Sequence, residues 1–540
     1  MVEVAQSVSS PPHDRHSWGR VELKDALLLL GLGAILLVYG QRYVNFSAPP
    51  DEDAAMLMRY AQHLAGGHGI VWNIGERPVD GATDFLYLAA IAGLVRVGFS
   101  LFAAVRSLGL LSHALTVFLI YLAVRKLHGS SPWLAFLSAT YLAIGPGFRY
   151  IEAYFGTPFF ALAATITFWL AELCLREPES EQAIVGFALA SLALGLIRPD
   201  GVFLAALILL GLILATGFRK SRKLVIQWMA TYALLGGAYF LWHWHYFRYP
   251  LPNAFYVKGG GHLHLEGLTT SLLNVIHLTQ PFLPVFLLAV FSSRRTRREA
   301  TFALIPIVGF AAIWILMADA MNFEMRLQYA VLPLALMTWP GLLAHAWEDW
   351  HLPSWHSLSS DARWRAKAFL IIAFGFVLCW QFRAYKHLSP GADCNFRIAL
   401  MLGNYQGKGY GVATSEAGLL PLYPNWRALD TWGLNDQALA HGADLDDVLD
   451  RFRPQLIRFH LSPEMDPAQV PFQLMVRKLK AYAEQKGYRL AVAFGSGPDI
   501  DYYYVKPGFR DSDEILQRIR STWETDPHRE FDFGNFKLPQ

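Results

Sequence analysis

Apolar residues in this 540-residue chain come in runs rather than at amphipathic spacing. The runs are about twenty residues long, enough for a helix to cross roughly 30 Å of hydrocarbon. Only 16% of residues are charged and 54% are hydrophobic, with a mean hydropathy of +0.28; soluble domains carry about 25% charge. The chain therefore reads as a polytopic α-helical membrane protein. Its net charge of +3 gives no bulk argument for a nucleic-acid partner. Cys174, Cys379 and Cys394 lie far apart, which argues against a disulfide framework or a cysteine metal site.

Eleven spans are expected, near 25–44, 104–124, 131–146, 157–175, 183–197, 201–217, 224–243, 271–291, 300–317, 329–346 and 366–386. The first has no small-residue cleavage site and reads as a retained span. A twelfth run, 84–98, is short for a crossing. The basic clusters Arg125-Lys126, Arg219–Lys223 and Arg294–Arg298 belong inside the cell. They fall there if the N-terminal tail, 1–24, is cytoplasmic and 84–98 does not cross. The membrane domain then runs over 25–386, with a first external loop at 45–103. Residues 387–540 form an extracytoplasmic α/β domain, with strands over Tyr488–Phe494 and Asp499–Val505 and a helix over Pro467–Gln485.

The loops assigned to the outer face carry the unusual polar motifs. Asp51-Glu52-Asp53 sets three carboxylates at the mouth of the bilayer, where unpaired charge is costly. Helix capping explains one of them, not three. Met56, Tyr60 and His63-Leu64 predict a short amphipathic helix after the triplet, ended by glycines. Asn253–Lys258 brings together an amide (Asn253), a phenol (Tyr256) and a cation (Lys258), groups suited to a sugar phosphate. The alternative there is an interfacial belt with a snorkelling lysine. Asp319 and Arg326 share another outer loop, as catalytic groups or as a plain ion pair. Arg198-Pro199-Asp200-Gly201 makes a tight turn, either a phosphate contact or a helix break. His243/His245 and His262/His264 have poor spacing for a metal on a helix, and Gly259–Gly261 reads as a flexible loop.

Together these residues resemble the GT-C class of membrane glycosyltransferases, and in detail the mycobacterial-type terminal arabinofuranosyltransferase family. Anchored on Arg59-Tyr60-Ala61, that family's acidic pair falls on Glu52-Asp53. Its other motifs resemble Arg198–Gly201, Asn253–Lys258, Asp319…Arg326, Thr414–Gly418 and Asp430–His441. Departures are Glu52 for Asp, Ala55 for Tyr, Met317-Ala318 for two glycines, and Phe155-Gly156-Thr157-Pro158, which lacks a Glu that Glu152 could replace.

The resemblance implies an enzyme of the bacterial cytoplasmic (inner) membrane. It would move a sugar, arabinofuranose in that family, from a polyprenyl-phosphate donor to a cell-envelope glycan on the outer face. Asp53 is the implied general base, or holds the acceptor through a divalent cation (Mg, Mn or Ca) with Asp319 as a second ligand. Glu52 and Asp51 would raise its basicity. Lys258 and Arg326, with Arg59, Arg198, Tyr256 and Asn253, would hold the donor phosphate, and Trp426 and Trp432 would stack on the glycan. Two rival readings are a flippase for lipid-linked sugars and a non-catalytic glycan-binding scaffold.

Overall fold

A computed structural model describes residues 22–259, 263–316, 322–351, 359–386, 393–461, 470–495 and 500–526. Helices occupy each apolar run. The first nine are α1 (Leu23–Tyr43), α2 (Glu52–Ala65), α3 (Phe85–Arg96), α4 (Leu101–Leu122), α5 (Pro132–Ala143), α6 (Gly147–Glu152), α7 (Thr157–Arg176), α8 (Glu181–Ile197) and α9 (Asp200–Thr216).

Among the described residues, five helical stretches are long and apolar enough to cross a membrane: Leu23–Tyr43, Leu101–Leu127, Thr157–Arg176, Phe218–Phe247 and Arg294–Ile315. The expected span at 271–291 is instead two helices, Leu265–Thr279 and Leu283–Val290, bent by 98°. Pro284 at the start of the second forbids a continuous hydrogen-bond ladder there. The expected span at 131–146 is only 12 residues of helix, because Gly145-Pro146 ends it. α3 is likewise 12 residues, about 18 Å at 1.5 Å per residue.

α2 forms as its sequence dictates. Asp51 caps it, accepting from the Asp53 amide at 3.2 Å, and Glu52 and Asp53 oppose the helix dipole in its first turn. Its buried face is Ala54, Ala55, Met58, Tyr60 and Ala61. Gly66 and Gly67, the latter at φ +82°, end it.

The C-terminal region holds one five-stranded sheet of order β2-β1-β3-β5-β4. β1 (Gly411–Thr414) lies parallel to both β2 (Arg427–Asp430) and β3 (Leu456–Leu461). β5 (Ile500–Val505) runs antiparallel to β3 and to β4 (Arg489–Phe494). The helix Val470–Gln485 packs on β3. The parallel centre was not apparent from the sequence, since β1 and β2 are only four residues each.

This sheet is docked on the loop around α2. Trp72 Nε1 and Asn73 Nδ2 both donate to the Ala428 carbonyl at 2.9 Å, and Asn73 Oδ1 accepts from the Ala428 amide at 2.9 Å. The edge strand β2 thus has its free backbone groups answered by the loop. Gly81 sits so close that a Cβ there would lie 2.1 Å from Asn435 Oδ1.

Candidate active site

The first turn of α2, the Arg198–Asp200 turn, the helix Asn253–Gly259 and the segment before Val331 converge on one cavity of about 380 Å³. Three acids, Asp53, Asp84 and Asp200, and three cations, Arg198, Lys258 and Arg326, line it. The rest of the wall is largely apolar, including Phe155, Phe203, Phe255, Ile313, Trp314 and Leu316. A wall of this kind suits a ligand with a charged head and an apolar tail.

Asp53 and Arg326 meet at its centre in an ion pair, Arg326 Nη2 donating to Asp53 Oδ2. The Arg326 guanidinium also lies over the Phe155 ring, 4.0 Å from its centroid. The backbone that brings Arg326 here is strained: Glu324 (φ 48°) and Met325 (φ 61°) both sit in the left-handed region. Such residues cost on the order of 1 kcal/mol or more each and persist only when held. Tyr150 Oη donates to the Glu324 carbonyl at 2.6 Å, and Asn322 Oδ1 accepts from the Leu327 amide at 3.1 Å.

Burial pushes the Asp53 carboxyl up, but Arg326 and Lys258 together pull harder and leave it below its ordinary value. Its side chain is 33% exposed, so the carboxylate is ionised and reachable from the cavity. Asp84 goes the other way: burial raises it, and Asp200 adds to this while Arg198 opposes it. Arg198 meanwhile is held bidentately by Asp200, at 2.9 and 3.1 Å. Asp84 is not among the residues the sequence motifs single out. Its signal is its position, directly before an apolar helix whose backbone it does not cap.

The acidic triplet is divided by the helix itself. Glu52 and Asp53 are successive helical residues and point about 100° apart, while Asp51 precedes the helix as its cap. Glu52 turns to the C-terminal region, where its Oε2 accepts from the Gly418 and Leu419 amides at 2.7 and 2.8 Å. Burial raises its carboxyl, with Glu416 adding to this and Arg458 opposing it. Asp51 is the cap, and burial and the Asp53 charge push it up to about 6.

Other expected phosphate ligands have different employment. Arg59 is 2% exposed. It donates to the carbonyls of Trp72 (2.9 Å), Trp426 (2.8 Å) and Pro421 and to Asn73 Oδ1 (3.1 Å). Its fork is consumed in joining the loop to the C-terminal region, and it does not line the cavity. Asn253 donates to the Leu434 carbonyl at 3.3 Å, and Tyr256 packs on His441, centroids 4.5 Å apart. Both residues face the C-terminal region, while Lys258, on the same short helix, faces the cavity. Trp426 is 2% exposed and unavailable for stacking. Glu152 accepts from the Asn45 amide at 2.8 Å and pairs with Arg149 at 2.7 Å, away from the cavity. His243 pairs with Asp80 at 2.8 Å.

Asp319, the second expected metal ligand, lies outside the described residues. Among the described residues no three His, Cys, Asp or Glu side chains gather to hold a metal ion. Asp53, committed to Arg326, does not by itself make such a site.

The architecture has solved counterparts. ArnT from Cupriavidus metallidurans in the apo state aligns at a TM-score of 0.55 and 13% identity, covering 88% of this chain and 97% of ArnT. The same protein bound to undecaprenyl phosphate aligns at 0.53 and 12% identity, covering 89% and 99%. The chain carries the GT-C fold. The Archaeoglobus fulgidus oligosaccharyltransferase tethered with an acceptor peptide aligns at 0.48 and 12% identity, covering 90% and 74%. A domain of unknown function, DUF8728, matches residues 383–512. No curated protein matches this chain in sequence. What is shared with ArnT at 12–13% identity is the arrangement of the helices.

Proposed function

We propose that this protein transfers a sugar from a polyprenyl-phosphate donor to a glycan acceptor at the outer face of the bacterial cytoplasmic membrane. The N-terminus is cytoplasmic in this reading and the C-terminal sheet extracytoplasmic. The observation that carries it is the cavity in which an ionised Asp53 faces Arg198, Lys258 and Arg326 beside an apolar wall. A lipid phosphate needs both the cations and the wall. ArnT, the GT-C neighbour at a TM-score of 0.53, is itself solved with undecaprenyl phosphate, which supports a polyprenyl lipid here.

The chemistry follows from the charges. The acceptor hydroxyl oxygen attacks the anomeric carbon, and the bond from that carbon to the phosphate oxygen breaks. The phosphate leaves with the bonding electrons and gains charge, so Lys258 and Arg198 stabilise the transition state more than the ground state. The hydroxyl proton passes to Asp53. An aspartate locked to an arginine is a weak base. Arg326, however, can turn from Asp53 to the donor phosphate when it enters, which frees the carboxylate as the cation is put to use. Arabinofuranose is the sugar we assign, from the motif resemblance. A divalent cation (Mg, Mn or Ca) on Asp53 and Asp319 belongs to the same proposal, and the proton and phosphate steps do not require it.

The test is to reconstitute the full chain in liposomes with a radiolabelled polyprenyl-phosphate pentose and a glycan acceptor. Label on the acceptor together with free polyprenyl phosphate is the expected result. Movement of intact donor between leaflets without cleavage would instead identify a flippase. Glycan binding with neither would identify a scaffold.

A further inference from the structure

A second cavity, of about 880 Å³, opens at the other end of the helix bundle. Three helical stretches connect the two. α7 lines the first cavity with Thr157 and the second with Arg176, and α9 does so with Asp200 and Thr216. The stretch Arg294–Ile315 meets the second with Arg294, Arg295 and Arg298 and the first with Ile313. α9 alone is 17 residues, about 24 Å, so the cavities lie nearly a bilayer's hydrocarbon thickness apart.

The lining of this second cavity is cationic. Lys126, Arg176, Lys220, Arg294, Arg295 and Arg298 face two acids, Glu172 and Glu299. His128 Nε2 lies 3.4 Å from Glu172 Oε1, and Glu299 is paired both with His345 Nδ1 at 2.7 Å and with Arg295 Nε at 3.5 Å. The floor behind the cations includes Leu127, Phe302 and Leu342.

The topology rule alone requires only that cations stay on one side of the membrane. Arg219, Arg222 and Arg297 satisfy it from positions that do not line the cavity. Convergence of six Lys and Arg side chains from four separate chain segments on one concavity is a stronger arrangement, and one suited to phosphate oxygens.

We infer that this cavity, between Arg176, Lys220 and the Arg294–Arg298 turn, binds a phosphate-bearing anion at the face opposite the candidate active site. The shared chemistry is a phosphate group, which either an anionic lipid headgroup or a soluble phosphate supplies. The site is independent of the transfer reaction proposed above.

Full-length protein in phosphatidylcholine nanodiscs, titrated with inorganic pyrophosphate in a calorimeter, tests the soluble source. Nanodiscs containing added cardiolipin, analysed by native mass spectrometry for retained lipid, test the lipid source. Binding of either probe to the wild type is expected. The Arg294→Gln/Arg298→Gln double variant should weaken it on the order of tenfold. Arg222→Gln, a cation outside the cavity, should leave it within about twofold. Lys220→Gln, on a different helix, should also weaken binding and decides the matter if the double variant does not fold. The inference is overturned if neither probe binds the wild type, or if Arg222→Gln loses as much as the cavity variants.

Discussion

Arg326 reaches across 273 residues of sequence to donate a hydrogen bond to Asp53. Two left-handed residues, Glu324 and Met325, directly precede Arg326 and are held in strained backbone to put it there. The predictions below follow from which side chains face this pair and which turn away from it.

Lys258 faces the cavity without a resolved ion pair, whereas Arg198 is already held bidentately by Asp200. Lys258→Ala should therefore lower turnover at limiting donor more than Arg198→Ala does. Loss of one donor to a developing oxyanion costs roughly 3 kcal/mol, or about a hundredfold. Turnover measured against donor concentration checks this. Wild-type values for Lys258→Gln would mean that the lysine only snorkels to headgroups.

Glu52 acts as a latch rather than as part of the acid pair, because its carboxylate accepts from the Gly418 and Leu419 amides. Glu52→Gln keeps an oxygen that can accept both bonds, and transfer should stay within about tenfold of wild type. Gly418→Ala should be worse for stability, since its new methyl would lie 2.2 Å from the Glu52 carbonyl oxygen. Overpacking of this kind costs about 1–3 kcal/mol. Thermal unfolding of the two variants separates the effects. A Glu52→Gln variant as inactive as one lacking Asp53 would return Glu52 to the chemistry.

How much of this was legible in advance depends on the physical origin of each feature. Continuous apolar runs of about twenty residues had to become helices, because in lipid a single such segment satisfies its own backbone only as a helix. The amphipathic α2 was equally plain, although which of the three acids caps it was not. The sequence pairs Glu52 with Asp53, but as successive helical residues they point different ways, and Glu52 turns to the C-terminal region. Arg59 could not have been assigned its structural place: its acceptors at Pro421 and Trp426 lie more than 360 residues away. Short strands such as β1 and β2, four residues each, carry too little periodicity to show. Asp84 was hidden because the run 84–98 was weighed only for whether it crosses the membrane.

Arg59→Ala should damage the fold rather than donor binding. It would leave the carbonyls of Trp72, Pro421 and Trp426 buried without donors, at a cost of about 3 kcal/mol or more in total. A lower unfolding temperature with unchanged donor KM in the surviving protein is the expected pattern. A stable variant with a raised donor KM would place Arg59 on the phosphate after all.

Asp51 gives a pH dependence. Its folded-state pKa is raised from the ordinary 3.8 to about 6 by burial and by the Asp53 charge. The folded protein therefore holds this proton more tightly than the unfolded chain. The group's contribution to stability is fully present below pH 3.8 and is lost as pH rises through 6. Asp51→Asn keeps the cap and removes the titration. Its stability relative to wild type should rise between about pH 4 and 6 and then level off. A difference constant across that range, measured by thermal unfolding, would contradict the assignment.

The most direct measurement compares wild type with Asp53→Asn in transfer of labelled sugar from a polyprenyl-phosphate donor. The amide keeps the size of the side chain and can still accept a bond from Arg326, but it cannot take the acceptor's proton. Transfer should fall by about 10²–10⁴-fold, while thermal unfolding and donor binding stay near wild type. Undiminished transfer by a folded Asp53→Asn protein would contradict the account.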